Sequence, residues 1–118
     1  MAKHNETGIK GEQIAENFLL KKGFHVLFRN WRFEKKEVDI IAEKDGLLVF
    51  VEVKTRKNSF FGFPEESVSP SKVGFLKTAA EAFLFNYPEY TRMQFDIISI
   101  IMANGDVKEI QHIEDAFY

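Results

Sequence analysis

"EVDIIAEKDGLLVFVEVKT", residues 37–55, is two apolar runs on either side of a tight turn, with Asp39, Glu52 and Lys54 set inside the runs. Asp-Gly between apolar runs is the best short-range hairpin signal, so strands are predicted over 37–43 and 48–54. A charge in a strand interior is costly to bury unless it is paired or holds a metal. With Asp45 and Gly46 as the loop, Lys44 faces Leu47, and counting back puts Asp39 directly opposite Glu52 and Glu37 opposite Lys54. A four-residue loop preserves this register, whereas a three-residue loop breaks it. Opposed side chains share a face with Cβ atoms roughly 4.5–5.5 Å apart. The two-residue period of a strand also puts Glu52 and Lys54 on one face.

Two carboxylates facing each other destabilise a hairpin unless a shared proton or a cation offsets the repulsion. A divalent metal is the economical solution, because hard cations such as Mg²⁺ take one or two carboxylates plus waters. A third carboxylate is available upstream. Residues 8–22 read as a helix with an apolar stripe of Ile9, Ala15, Phe18 and Leu19, and Gly23 as its stop. Glu12 lies on or beside that stripe, with Glu16 one turn on as a neighbour or a solvated residue. Glu12, Asp39 and Glu52 together suit Mg²⁺ or Mn²⁺. Lys54, kept protonated by its carboxylate neighbours, would orient a water and stabilise charge. The spacing accommodates equally well a structural arrangement, in which Asp39 and Lys54 form a partly buried ion pair and Glu52 sits at a sheet edge. A short E-x-K is common by chance.

Outward from the hairpin, 24–33 reads as a strand followed by an "EKK" loop. Residues 55–68 read as a loop broken at Gly62 and Pro64, and 69–86 as a second helix with Ser69 as N-cap and Pro70 in its first turn. A strand over 92–102 leads through Asn104-Gly105, a type I′ signal, into a last strand over 106–113. The order α-β-β-β-α-β-β predicts a mixed sheet flanked by helices. A length of 118 residues fits one domain, and thirteen Phe supply core material. The absence of Cys excludes disulfides, zinc-thiolate sites and thiol nucleophiles. No apolar leader follows Met1 and no run approaches membrane-spanning length, so a cytoplasmic protein is expected, with no membrane partner.

The net charge of −2 is not that of a strong nucleic-acid binder, but it is unevenly spread. Residues 1–57 carry twelve Lys and Arg against nine Asp and Glu, whereas residues 58–118 carry four against nine. Lys21, Lys22, Arg29, Arg32, Lys35 and Lys36 crowd one stretch, and Lys54, Arg56 and Lys57 follow the second strand. Such lysines are most often simply a solvated face.

Glu12, Val38-Asp39 and Glu52-Val53-Lys54 on this order of elements resemble the PD-(D/E)xK nuclease superfamily, and its Holliday junction resolvase branch in particular. Across nearly the whole chain, "GIKGEQIAENFLLKKGFHVLFRNWR", "EVDIIAEKDGLLVFVEVKTR", "SVSPSKVGFL", "QFDIISI" and "IQHIEDAF" are similar to the bacterial YraN-like family of endonuclease-like proteins. The resemblance implies a restriction endonuclease-like α-β-β-β-α-β core with an extra C-terminal strand. It makes Glu12, Asp39, Glu52 and Lys54 the catalytic set, with Glu12, Asp39, Glu52 and the Val53 carbonyl as ligands of Mg²⁺ or Mn²⁺, weakly held without substrate. Val38 stands where the superfamily motif has Pro, which many resolvase-like members also lack. The implied partner is nucleic acid, DNA first, and resolvase-like relatives often dimerise.

Arg29, Asn30 and Arg32 of "RNWR" are candidates for phosphate contact, although Asn30 also suits a turn of the chain. Arg56 and Lys72 flank the site and are candidates for the scissile strand, with a solvated role as good a reading for Lys72. Trp31 is weighed as core ahead of a base-stacking platform. His4, His25 and His112 lack metal-ligand spacing and read as structural or solvated. Asp96, a charge inside "QFDIISI", reads as a structural partner for a basic residue. The leading expectation is a metal-dependent nuclease hydrolysing DNA phosphodiester bonds, on branched or damaged structures. The alternatives are a non-catalytic nucleic-acid-binding module on the same fold and a protein-interaction domain using "SFFGFP".

Overall fold

The computed structural model describes residues 6–57 and 68–117. His4 and the "SFFGFP" segment lie outside the described residues, as does most of the loop expected over 55–68. Helix α1 is Glu6–Lys21, strands β1, β2 and β3 are His25–Phe33, Lys36–Lys44 and Leu47–Arg56, helix α2 is Pro70–Asn86, and β4 and β5 are Arg92–Ala103 and Asp106–Phe117. The five strands form one sheet in the order β1-β2-β3-β4-β5. All neighbours are antiparallel except β3 and β4, which run parallel and are joined by the α2 crossover. This is the expected α/β architecture: the α-β-β-β-α-β order of a restriction endonuclease-like core, with β5 as the extra strand.

Turn chemistry sets the registers. Asp45 and Gly46 take φ values of 52° and 82°, and Lys44 pairs with Leu47 as predicted. Asn104 and Gly105 repeat the device at 54° and 80°. The "EKK" loop is shorter than expected: Phe33 pairs with Lys36, leaving Glu34 and Lys35 as the turn, with Glu34 at φ 57°. At the end of α1, Gly23 at φ 92° donates to the Leu20 carbonyl and Phe24 N–H to that of Leu19, a Schellman cap. At the start of α2, Ser69 Oγ accepts from Lys72 N–H at 3.1 Å with Pro70 in the first turn.

Each face of the sheet buries one helix. On one side, Ala15 and Leu19 of α1 pack with Ile40, Ala42, Val49, Val51, Ile98 and Ile100. On the other, Leu76, Ala79, Ala80 and Phe83 of α2 pack with Val38, Ile41, Leu48, Phe50 and Phe95. The Phe83 ring meets Phe28, Trp31 and Phe50 edge-on and stacks on Tyr87. Such pairs add about 0.5–1.5 kcal/mol each beyond burial. Trp31 is thus half-buried in the aromatic core. The expected α1 stripe needs one correction: Ile9 is 49% exposed, and the buried line is Gly11, Glu12, Ala15 and Leu19.

The last strand also runs four residues beyond its predicted end. Phe95 faces Phe117 while Ile97 faces Ile113, so β5 carries extra residues there. The fully buried Asp96 fills that irregularity. Its carboxylate accepts from Asp115 N–H and Gln94 Nε2 at 2.9 Å and lies 2.7 Å from His112 Nε2. Asp96 is thus a structural partner for His112, whose side chain is buried, while His25 is exposed.

At Gly11 helix α1 lies tight against β3, since a Cβ there would overlap Thr55 Oγ1. Rotating the branched Thr side chain only exchanges the hydroxyl for a methyl. Gly11→Ala should therefore cost about 1–3 kcal/mol by overpacking, against a helix-propensity gain of about 1 kcal/mol. Thr55→Ala in the same chain should recover most of the net loss, and a urea-unfolding double-mutant cycle measures it.

Candidate active site

The paired register of β2 with β3 runs from Lys44–Leu47 to Ile40–Val51. The next step brings Asp39 level with Glu52, and there the regular ladder gives way. Val53 N–H donates instead to the Asp39 carboxylate, Oδ2, at 2.8 Å. Glu37 pairs with Arg32 across β1 and β2, not with Lys54.

The neighbouring strand shows why Asp39 is placed there. Arg29 of β1 faces α1, donating to Gln13 and Glu16 at 3.1 Å, and its partner Ile40 packs on the same side. Two residues along each strand, Trp31 and its partner Val38 pack on the α2 side. Regular alternation would keep residues two apart on one face. Both strands therefore roll over at Asn30 and Asp39. Asn30 takes φ 50°, which Asn tolerates better than most residues. Its side chain donates to Glu12 Oε1 at 3.0 Å. Asn30 both turns the chain and orients a carboxylate of α1.

Three acidic residues from three elements converge on this roll. Glu12 is 7% exposed, Glu52 4% exposed, and Asp39 half-buried. The Asp39 carboxyl is pushed up to about 7, first by burial, then by the Glu52 charge; Val53 N–H opposes this, Glu12 adds to it and Lys72 opposes it. Glu52 stands on the central strand, so the sheet-edge alternative does not hold, and Lys54 pairs with Glu52, not Asp39: its Nζ is 3.6 Å from Glu52 Oε2. Lys72, from the first turn of α2, brings its Nζ within 3.5 Å of Glu52 Oε1. That oxygen is buried and accepts no hydrogen bond.

Among the described residues, no three ligating side chains are already drawn into one coordination cage. Glu12 is turned to Asn30, Asp39 to Val53 N–H, and Glu52 to the two lysines. The donor chemistry nevertheless fits a hard divalent cation. The oxygens are carboxylates, one is buried without a hydrogen-bond donor, and one carboxyl is raised first by burial and then by the neighbouring Glu52 charge, which a cation would offset.

The other predicted contacts divide into two groups. Arg29 and Asn30 are committed to Glu16, Gln13 and Glu12, so they hold α1 to β1. Arg32 is exposed, while Arg56 at the end of β3 donates to Ser99 Oγ at 3.4 Å. The mutual placement of Asn30 and Glu12 was not readable from spacing, because it depends on how α1 crosses β1.

The raised Asp39 pKa has a consequence for stability. In the unfolded chain the carboxyl titrates near 3.8; in the folded protein it holds its proton to about 7. Between those values the folded state binds more protons, so metal-free stability should fall as pH rises from about 4 to 7, with a slope of at most about 1.4 kcal/mol per pH unit. Asp39→Asn should flatten this slope, as followed by urea unfolding across that pH range.

Comparison with known proteins places the chain in a family. A UPF0102 protein of Flavobacterium psychrophilum is 43% identical over 118 residues, spanning all of this chain and 98% of its own. One of Syntrophomonas wolfei is 44% identical over 115 residues, 97% of this chain and 99% of its own. One of Natranaerobius thermophilus is 44% identical over 113 residues, 93% of this chain and 95% of its own. The model of the uncharacterised protein family UPF0102 matches residues 11–100, from the close-packed Gly11 through both strands of the carboxylate hairpin to β4. The chain belongs to the UPF0102 family.

Proposed function

We propose that this chain is a metal-dependent nuclease of the PD-(D/E)xK type, hydrolysing DNA phosphodiester bonds in branched or damaged DNA in the cytoplasm. The observation that carries this is the convergence of Glu12, Asp39 and Glu52 beside two lysines, where the β2–β3 ladder gives way. A purely structural cluster would gain nothing from three mutually repelling carboxylates. Glu12, Asp39, Glu52 and the Val53 carbonyl would hold Mg²⁺ or Mn²⁺. Bound there, the ion would lower the pKa of a water and screen the phosphate charge.

The chain's own residues supply the rest. Lys54 sets its Nζ beside Glu52, placed to stabilise charge growing on phosphate oxygens. Asn30 fixes the Glu12 carboxylate, and Val53 N–H fixes that of Asp39. Lys72 reaches the same site from α2, and with Arg32 and Arg56 it forms the phosphate-facing set. The net charge of −2 favours a second reading, a non-catalytic nucleic-acid-binding module on the same fold. No helix among the described residues is long and apolar enough to cross a membrane.

Cleavage separates the readings. On a panel of duplex, single-stranded, flap and four-way junction DNA with Mg²⁺ or Mn²⁺, wild type should cut at least one substrate. Lys54→Ala should cut it on the order of 10²-fold more slowly while binding it almost as well. Binding without cleavage by wild type would leave the non-catalytic module as the better account. Metal binding is read independently by thermal unfolding. Wild type should gain about 2–3 kcal/mol at Mn²⁺ near a hundredfold above its Kd, and Asp39→Ala none. Equal gains in both proteins would put the ion elsewhere.

A further inference from the structure

We propose that the recess between the β1–β2 turn and α2, walled by Phe33 and Phe75, is a subsite for an unpaired nucleobase of the substrate strand. The proposal rests on the nuclease reading and narrows its substrate to nucleic acid with a single-stranded or extruded nucleotide beside the cut. The recess has a volume of about 330 Å³ and is lined by Phe33, Glu34, Lys35, Lys36 and Phe75. The two rings stand 6.2 Å apart at 40°, a tilted pair that leaves no room for a base between them, so a base would stack on one ring and not between the two. Trp31 stacks behind Phe33 at 6.2 Å and 6°, which backs that wall with a second aromatic plane.

Charge connects the recess to the carboxylates. Lys36 and Lys72 place their ammonium groups 5.6 and 5.4 Å from the centre of the Phe75 ring. The same Lys72 Nζ is 3.5 Å from Glu52 Oε1, so one side chain touches both places. Aromatic faces among lysines are how single strands are held without sequence readout: the rings stack bases and the cations follow the phosphates. An ammonium over an exposed ring is held less strongly than a stacked base. An entering base therefore displaces Lys36 from Phe75 and frees it for the adjoining phosphate. Bases inside a duplex have both faces covered, so only an unpaired one can enter.

The comparable recess beside Lys22, Lys44 and Arg92, about 280 Å³, offers a single ring, that of the buried Phe24 with Lys44 over it, and no pair of ring walls. Lys44 donates to the Lys22 carbonyl and Arg92 to that of Asp45, both at 2.7 Å, and the recess lies at the far turn of the β2–β3 hairpin.

The test measures binding to the full chain in EDTA, where nothing is cleaved. The probes are a short oligothymidylate, an abasic oligomer with the same phosphates, and a blunt duplex. Trp31, the single Trp of the chain, reports from behind the Phe33 wall. Oligothymidylate should change Trp31 emission and bind about tenfold more tightly than the abasic oligomer. Phe75→Leu should abolish that preference and leave abasic binding unchanged, and Lys36→Gln should weaken both. Phe33→Leu serves the same purpose if Phe75→Leu fails to fold. Equal affinity of wild type for the two oligomers, or a preference that survives Phe75→Leu, overturns the subsite. Base-dependent binding without cleavage of any panel DNA instead sinks the nuclease reading and keeps the subsite. Cleavage with base-independent binding does the reverse.

Discussion

Negative charge has been gathered faster than this fold can neutralise it. Glu12, Asp39 and Glu52 come from a helix and two strands, and burial removes the water that would screen them. Two lysines pair with Glu52, Lys72 offsets the charge at Asp39 only in part, and Asp39 responds by holding a proton toward neutral pH. The devices around the site serve to keep this cluster together: the Asn30 bond to Glu12, the Val53 N–H bond to Asp39, and Arg29 clamped to Glu16. The Arg29 bond to Glu16 is charge-assisted, of the stronger class.

The cluster depends on one backbone irregularity. With unbroken alternation through Asn30 and Asp39, Trp31 and Val38 would face α1 and would not complete the aromatic core under α2. The left-handed Asn30 lets β1 and β2 change faces in mid-strand. The turned-out step leaves Asp39 feeling α1 through Glu12 and α2 through Lys72. Backbone strain stored at a site of this kind persists because the packing on either side over-determines it. Here Phe83, meeting Trp31 and Phe50, supplies much of that packing.

Helix α2 ties the core to the site. Its cap, Ser69 followed by Pro70, fixes where the first turn begins. That placement carries Lys72 to Glu52 and sets Phe75 opposite Phe33, next to the buried line of Leu76, Ala79, Ala80 and Phe83. A shift of the crossover by one residue would move the lysine, the recess and the core together.

Much of the fold was legible in local signals. Asp45-Gly46 and Asn104-Gly105 demand positive φ, and Gly23 and Ser69 are cap chemistry; these depend on residue type and little else. They set the element order and the register that brings Asp39 level with Glu52. Four things lay beyond reach of the sequence. The roll at Asn30 depends on which helix each half of the strand meets. Lys54 turns to Glu52, two residues back on its own strand, instead of Asp39, whose carboxylate is bonded by Val53 N–H. Ile9 left the buried stripe because Gly11, packed against Thr55, sets the line on which α1 crosses the sheet. The last strand ran to Phe117 because buried Asp96 bonds the irregular stretch that patterning reads as a break. Residue type determined where the chain turns and which charges lie in its interior. Only the packing of two helices on opposite faces of one sheet decided which of those charges meet, because that meeting depends on contacts between residues far apart in the chain.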